Sequence, residues 1–151
     1  MNAPLLVFGV FVFLAAFNAG TMTALQIQHY GIYPMVGRDA FAGYMRANNR
    51  AAVVPTILPA MLLLFTSLLL TMVRPRFMSA GEAVAVAALN VTQLASTFLW
   101  QRRLHAEMAE TGYDEAKTSQ LVSTNWIRTA AFLVQALVAT TIVLRALAGR
   151  G

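Results

Sequence analysis

Arg128 is the residue whose type and position in this sequence most strongly suggest chemistry. It follows Asn125 and Trp126 at the beginning of the last long uncharged stretch. An arginine at the mouth of an apolar helix must find a partner or reach water, so it is rarely without a role. Asn125, Arg128 and Phe132 fall on one helical face, at steps of three and four residues. This face predicts an amide and a guanidinium side by side, which could stabilise an oxyanion.

The two histidines, His29 and His105, lie near the ends of apolar stretches, and three chemistries are open to them. They could ligate a metal ion, with an amide or a carboxylate such as Glu107 as a third ligand. They could instead bind the iron of a haem from two sides. Alternatively, one histidine could act as a general base towards an acidic organic substrate, with no cofactor. Arg128 and Asn125 would then stabilise the resulting oxyanion.

Further polar and aromatic residues near the same ends are candidate substrate contacts. They are Tyr33, Asn48, Trp100, Gln101 and Trp126. The two indoles have an alternative explanation, because tryptophan collects at membrane interfaces.

A polar stripe leads inward from His105 at helical spacing. Its members are Asn90, Gln93, Thr97 and Gln101. Such a stripe could line a pocket. Amides on facing membrane helices also hydrogen-bond simply to hold a bundle together, and this is the alternative for Asn90, Gln93 and Gln135.

The composition indicates that these residues belong to an integral membrane protein. Of 151 residues, 58% are apolar and 11% are charged. Uncharged stretches cover residues 1–37, 51–73, 83–101 and 129–144. Each is close to or above the ~20 residues of a membrane helix, and the last is the shortest. The first has no preceding Lys or Arg and is too long for a signal peptide.

The chain has no cysteine, which excludes disulfides and thiolate metal sites. The net charge of +5 is placed beside apolar helices, so lipid headgroups explain it better than nucleic acid.

The pattern predicts four membrane helices and one surface helix. A first helix covers about 5–30, an amphipathic helix at the headgroup level covers 35–49, and a second membrane helix covers 48–73 with kinks at Pro55 and Pro59. Ser79 and Glu82 form a capping box for a third helix that runs through His105 to residue 110. A last helix starts near Asp114 and ends near residue 145. We therefore predict one domain, 1–151, folded as an all-α, up-down antiparallel four-helix membrane bundle.

The length of the last helix identifies Arg128 as the interior charge. Sixteen residues separate it from Arg145, about 24 Å of helix, which is less than the ~30 Å hydrocarbon layer. Arg145 precedes a loose tail and can reach outward, whereas Arg128 has helix on both sides.

The basic residues also predict the orientation of the protein in the membrane. Four arginines (Arg74, Arg76, Arg145, Arg150) lie on one side and seven basic residues on the other, so the site is expected to face the cytoplasm.

Two segments resemble a superfamily of small four-helix membrane proteins that includes the anthrone oxygenases and many bacterial relatives. They are the segment from Trp100 to His105 and the Asn-Trp-x-Arg element at 125–128. The resemblance implies oxidation of a lipophilic aromatic compound by dioxygen in a bacterial inner membrane, without a conventional organic cofactor. The positions it implies as functional are His29, His105, Asn125, Trp126 and Arg128.

The chain is also similar, more distantly, to the membrane glutathione transferases, which use arginines and asparagines at one membrane face. It departs from their pattern after Arg50, where Ala51 stands in place of the expected glutamate.

The leading hypothesis is therefore a membrane-embedded oxygenase with His29, His105, Asn125 and Arg128 as catalytic residues and a lipophilic small molecule as its partner. The alternatives are a small bis-histidine haem or metal protein and a non-catalytic membrane assembly subunit. Whether the chain forms a homo-oligomer is left open.

Overall fold

The computed structural model of the chain describes residues 2–149, and every regular element in that range is helical. Met1, which opens the first uncharged stretch, and Arg150, counted above among the arginines of one side, lie outside the described range together with Gly151. The helices are α1 (Ala3–Met35), α2 (Arg38–Ala51), α3 (Val53–Met72), α4 (Ala80–Thr111) and α5 (Glu115–Ala148). The predicted all-α class is confirmed.

Four of these helices, α1, α3, α4 and α5, are long and apolar enough to cross a membrane. Helix α3 has 20 residues, while the other three have between 32 and 34. At ~1.5 Å per residue, α3 matches the ~30 Å hydrocarbon layer and the other three reach about 50 Å. The three longer helices therefore exceed the length of one crossing.

The four long helices pack in chain order around a ring, and α5 closes the ring against α1. Their first core contains Phe11, Leu63, Val86 and Phe132, all buried. Bulky apolar residues also point away from the core. Phe65, for example, is 63% exposed. Apolar side chains on both the inner and the outer surface are typical of helices surrounded by lipid.

A second core lies at one end of the ring, where α2 packs against the end of α4. Phe41 and Met45 of α2 are fully buried there beside Leu104 and Met108. The predicted amphipathic helix is present, and Phe41 and Met45 on its apolar face pack against protein, while its position at the headgroup level stays a prediction. The physical reason is that the end of α4 offers α2 an apolar partner in Leu104 and Met108. The same core contains the aromatic rings of Tyr30, Tyr33, Phe41, Tyr44 and Tyr113, and we call this part of the molecule the aromatic end.

The boundary between α2 and α3 differs from the prediction. Asn48 belongs to α2, and α3 begins only at Val53. Proline lacks the N–H that would continue the regular ladder, and the backbone around Pro55 forms a π-helical turn, Val53–Ile57, instead. Ala52 O accepts from both Thr56 N and Ile57 N, at 3.0 and 3.1 Å.

Both predicted helix starts are confirmed. Ser79 and Glu82 form the capping box of α4, with Glu82 N donating to Ser79 Oγ at 3.2 Å. Asp114 caps α5 by accepting from Lys117 N at 2.9 Å. Glu82 has a second role, because its carboxylate pairs with Arg145 at 2.6 Å. Arg145 is thereby held at the end of the molecule opposite the aromatic end.

Candidate functional site

Two π-helical turns lead into the aromatic end. One covers Leu25–His29 in α1 and the other covers Thr97–Gln101 in α4. A π turn widens the helix by one residue and rotates the side chains that follow it relative to a regular helix. The two histidines come at or just after these turns. The Tyr30 ring lies between them, with centroids 5.6 Å from His29 and 6.2 Å from His105.

His29 is held by two tyrosines. Its Nε2 atom lies 3.2 Å from the Tyr33 hydroxyl and its Nδ1 atom lies 3.4 Å from the Tyr44 hydroxyl. Asn48 lies beside the same ring. Burial raises the pKa of the Tyr44 phenol above its ordinary value, so this hydroxyl is neutral at physiological pH. Both nitrogens of His29 thus face tyrosine hydroxyl groups.

His105 has a partner on one side only. Its Nε2 atom lies 3.5 Å from the Tyr30 hydroxyl. Its Nδ1 atom is buried and has no hydrogen-bond partner among the described residues. Asn49 of α2 donates to the backbone carbonyl of His105 at 3.3 Å, which fixes α2 against α4 at this level. An imidazole nitrogen kept from water without a partner can take up or give a proton to a ligand.

Arg128 reaches from α5 towards α1. Its Nη2 atom lies 3.6 Å from the sulfur of Met22, and its Nε atom is buried without a partner among the described residues. The guanidinium also lies close enough to Tyr30 and His105 for a direct electrostatic interaction. A thioether is only a weak acceptor. The positive charge therefore acts on His105 through space, and its only described hydrogen-bond contact is the weak one to Met22.

Asn125 is fully buried and bonds to α1 rather than to Arg128. Its amide donates to Gln26 Oε1 at 2.7 Å, and Gln26 in turn donates to the Val122 carbonyl at 3.2 Å. This exchange joins α1 and α5 directly below the aromatic end. The Asn125 Oδ1 atom is buried without a partner among the residues described. Asn125 therefore combines a structural contact with one free acceptor.

The other predicted contacts are divided between interior and surface. Tyr33 is fully buried against His29, and Trp100 packs on the second core. Gln101 is buried and donates to Thr124 Oγ1 at 2.9 Å, so it joins α4 to α5. Trp126 is 51% exposed, and its location at a membrane interface stays a prediction.

The inner part of the polar stripe joins helices. Asn90 donates to Ser67 Oγ at 2.8 Å and Gln93 donates to Gln135 Oε1 at 3.0 Å. Gln135 also donates to the Val86 carbonyl at 3.2 Å. These bonds connect α3, α4 and α5. They correspond to the structural alternative given above for the three amides.

A metal ion would find few ligands at the aromatic end. The residues described contain no group of three His, Asp or Glu side chains that could hold one. A metal or a haem iron at His29 would also have to displace a tyrosine hydroxyl. Zinc sites normally use three or four protein ligands. The residues therefore do not fit such a group well, and we derive no chemical step from one.

A groove of about 410 Å³ runs along α1 beside α5. It is lined by Ala19, Gly20, Thr23, Ala24, Ile27, Gln28 and Leu133. Most of this surface is apolar, and the groove opens sideways where lipid would surround a membrane helix. At its upper end, Gln28 directly precedes His29. His29, His105 and Arg128 are not among the residues that line it.

Sequence reasoning missed four residues that shape the site, namely Met22, Gln26, Tyr30 and Tyr44. Met22, Gln26 and Tyr30 are spaced by four, so helical periodicity could have grouped them. No local signal places Tyr44 against His29, since that contact depends on how α2 folds back.

No family model, curated protein or solved structure matches this chain.

Proposed function

We propose that α1, α3, α4 and α5 cross a bacterial inner membrane as an up-down antiparallel bundle. Their lengths and apolar composition support the crossings. Contacts between sequence-distant helix ends support the alternating direction. The Phe8 and Phe77 rings lie 5.3 Å apart at one end, where Arg145 also bonds Glu82. Gln26 meets Val122 towards the other end.

We further propose that the aromatic end belongs to an oxidoreductase, an oxygenase that acts on a lipophilic aromatic or polyketide-like small molecule. One observation carries this proposal. His105 and Arg128 lie within electrostatic range of each other, and each has a buried nitrogen atom without a partner among the described residues. A potential base next to a fixed positive charge suits the removal of a proton from an acidic carbon or oxygen. The resemblance to anthrone oxygenases supports the same chemistry.

The reaction can be written with these residues in defined roles. In the tautomer whose Nε2–H faces Tyr30, the Nδ1 atom of His105 keeps its lone pair and accepts a proton from an activated CH₂ group. Arg128 stabilises the enolate oxygen that forms. Dioxygen is the oxidant. Both C–H bonds of the CH₂ group break, one oxygen atom forms the new C=O bond, and the other leaves as water with the two hydrogens. The electrons therefore balance without an organic cofactor.

The experiment is oxygen uptake by the purified protein in a neutral detergent with a hydroxylated anthrone. We expect His105→Ala and Arg128→Gln to lower turnover at least about a hundredfold, the usual contribution of a general base or of an oxyanion contact. Arg38→Gln is the matched control. It removes the same charge from an exposed position at the same end, where the Arg38 guanidinium lies over the Tyr113 ring, and it should leave turnover unchanged.

Full turnover by both folded variants would show that the site has been assigned wrongly. An absorption spectrum with a haem band, or bound metal at one equivalent, would favour the bis-histidine alternative. A stable protein partner without any turnover would favour an assembly subunit.

A further inference from the structure

The charge of Arg128 is not balanced by any side-chain carboxylate of the chain. All six acidic residues lie in the described range. Glu82 pairs with Arg145, and Glu107 pairs with Arg103 and Lys117. Asp114 caps α5. The remaining three (Asp39, Glu110 and Glu115) are exposed. No acidic side chain is therefore left for Arg128.

The immediate contacts of Arg128 also leave its charge uncompensated. The sulfur of Met22, 3.6 Å away, is a weak acceptor, and Nε is buried without a partner among the described residues. Arg128 is half-buried, and a charge that is partly removed from water is normally paired. A guanidinium has five N–H donors arranged in a planar fork that fits the two oxygens of a carboxylate or a phosphate. The missing partner is thus expected to be an anion that comes from outside the chain.

Two further features bear on the rest of this partner. The groove on α1 is lined mostly by apolar residues, and one of them, Leu133, belongs to the same helix as Arg128, so a body that suits this surface is lipophilic. His105 Nδ1 and Asn125 Oδ1 are further buried atoms without partners in the described part of the chain. They could meet hydroxyl groups or an acidic C–H of the same molecule. A neutral ketone would satisfy one donor of Arg128 but would not compensate its charge.

We propose that Arg128 binds the oxyanion of a lipophilic acid, a carboxylate or an ionised phenol attached to an apolar body. This inference rests on the proposed function, because it names the substrate class of the same site. The phosphate of a lipid headgroup offers the same oxyanion chemistry. The two sources are distinguished by experiment.

The test is a binding measurement without turnover. The full chain in dodecyl maltoside is titrated with 9-anthracenecarboxylate or with 9-anthracenemethanol, its neutral counterpart, and the fluorescence anisotropy of the anthracene is followed. We expect the wild type to bind the carboxylate at least about tenfold more tightly, equivalent to ~1.4 kcal/mol. Arg128→Gln should remove this preference by weakening carboxylate binding only. Arg128→Lys should keep part of it, and Arg38→Gln should keep all of it.

Competition with phosphatidylglycerol identifies the source. Displacement of the carboxylate by this lipid, but not by phosphatidylcholine, would support the oxyanion site and assign it to a headgroup. Failure of both lipids to displace the probe would support a free lipophilic acid. Equal binding of the two anthracenes by the wild type would overturn the inference whether or not any variant folds. Equal weakening of both probes by Arg128→Gln would overturn it as well.

The two proposals fail in different ways. A carboxylate preference that depends on Arg128, without oxygen uptake on any substrate, would disprove the oxygenase and keep the anion site. Oxygen uptake with equal binding of both probes would do the reverse.

Discussion

The two imidazoles of the aromatic end have different surroundings. His29 meets a tyrosine hydroxyl at each nitrogen, whereas His105 meets only Tyr30 and keeps one buried nitrogen without a partner among the described residues. A ring that is bonded on both sides is fixed in orientation, and proton exchange would break one of its contacts. His105 is therefore the better candidate for the base, and Tyr30 is the residue that orients it.

Tyr30→Phe tests this positioning role. It removes the hydroxyl beside His105 Nε2 and keeps the ring, so we expect kcat for oxygen uptake to fall about fivefold to tenfold, the rate equivalent of one hydrogen bond of ~1 kcal/mol. KM should not change, because Tyr30 orients the base rather than the substrate. Tyr113→Phe makes the same chemical change in the same aromatic cluster, at a hydroxyl that bonds no other described residue. A rise in KM instead of a fall in kcat would show that Tyr30 contacts the substrate.

At the scale of elements, α2 is what turns the end of a bundle into a site. It contributes Tyr44 to His29 and Asn49 to the backbone of His105. It is joined to α4 by Arg46, whose Nη1 donates to the Ala109 carbonyl at 2.8 Å. Its central residue is Phe41, which is fully buried. The Phe41 ring is nearly perpendicular to the rings of Tyr33 and Tyr113, with centroid distances of 5.5 and 5.1 Å. Loosening α2 should therefore affect the site before it affects the membrane core.

Phe41→Ala is expected to lower the free energy of unfolding by ~3–5 kcal/mol, because it leaves a cavity in the second core. The measurement is denaturation of the purified protein in mixed micelles, followed by circular dichroism. Phe65→Ala removes an equally large side chain from an exposed position on α3 and should cost less than about 1 kcal/mol. Equal costs for the two variants would mean that α2 does not depend on this anchor.

At the scale of the whole molecule, the two ends differ in how their arginines are paired. Arg145 is paired with Glu82 at one end, and Arg128 lies beside the aromatic end. The sequence-based expectation that Arg145 reaches outward freely is thus refined, since Arg145 is tied to α4 and also donates to the Phe77 carbonyl at 3.3 Å. That Arg128 is the charge of α5 inside the hydrocarbon layer stays a prediction.

An up-down bundle predicts which loops are accessible from each side of the membrane. The chain has no cysteine, so a single introduced cysteine can be labelled selectively. Single cysteines introduced by Arg76→Cys and Glu110→Cys, both at exposed positions, should react with a membrane-impermeant maleimide from opposite sides of inverted and right-side-out vesicles. Leu137→Cys, at an apolar position that is 67% exposed, should react from neither side if lipid covers it. Labelling of the first two from the same side would rule out the proposed topology.

The sequence by itself determined the features that depend on neighbouring residues. The uncharged stretches predicted the long helices, and Ser79 and Asp114 predicted where two of them begin, because a cap satisfies the first backbone N–H groups of its own helix. The helical spacing on α4 also selected Asn90 and Gln93, which do meet facing helices. It could not reveal which partners they meet.

Only the tertiary structure decided which side chains meet at the aromatic end. The Tyr44 contact with His29 spans 15 positions, and the Gln26 contact with Asn125 spans 99. Such pairs depend on how far each helix extends and how it is rotated. The π turns at Leu25–His29 and Thr97–Gln101 change that rotation, and neither segment contains a proline that would indicate the turn from sequence. The sequence likewise could not show that Arg128 lacks a carboxylate partner. That conclusion requires the positions of all the acidic side chains, which depend on the whole fold.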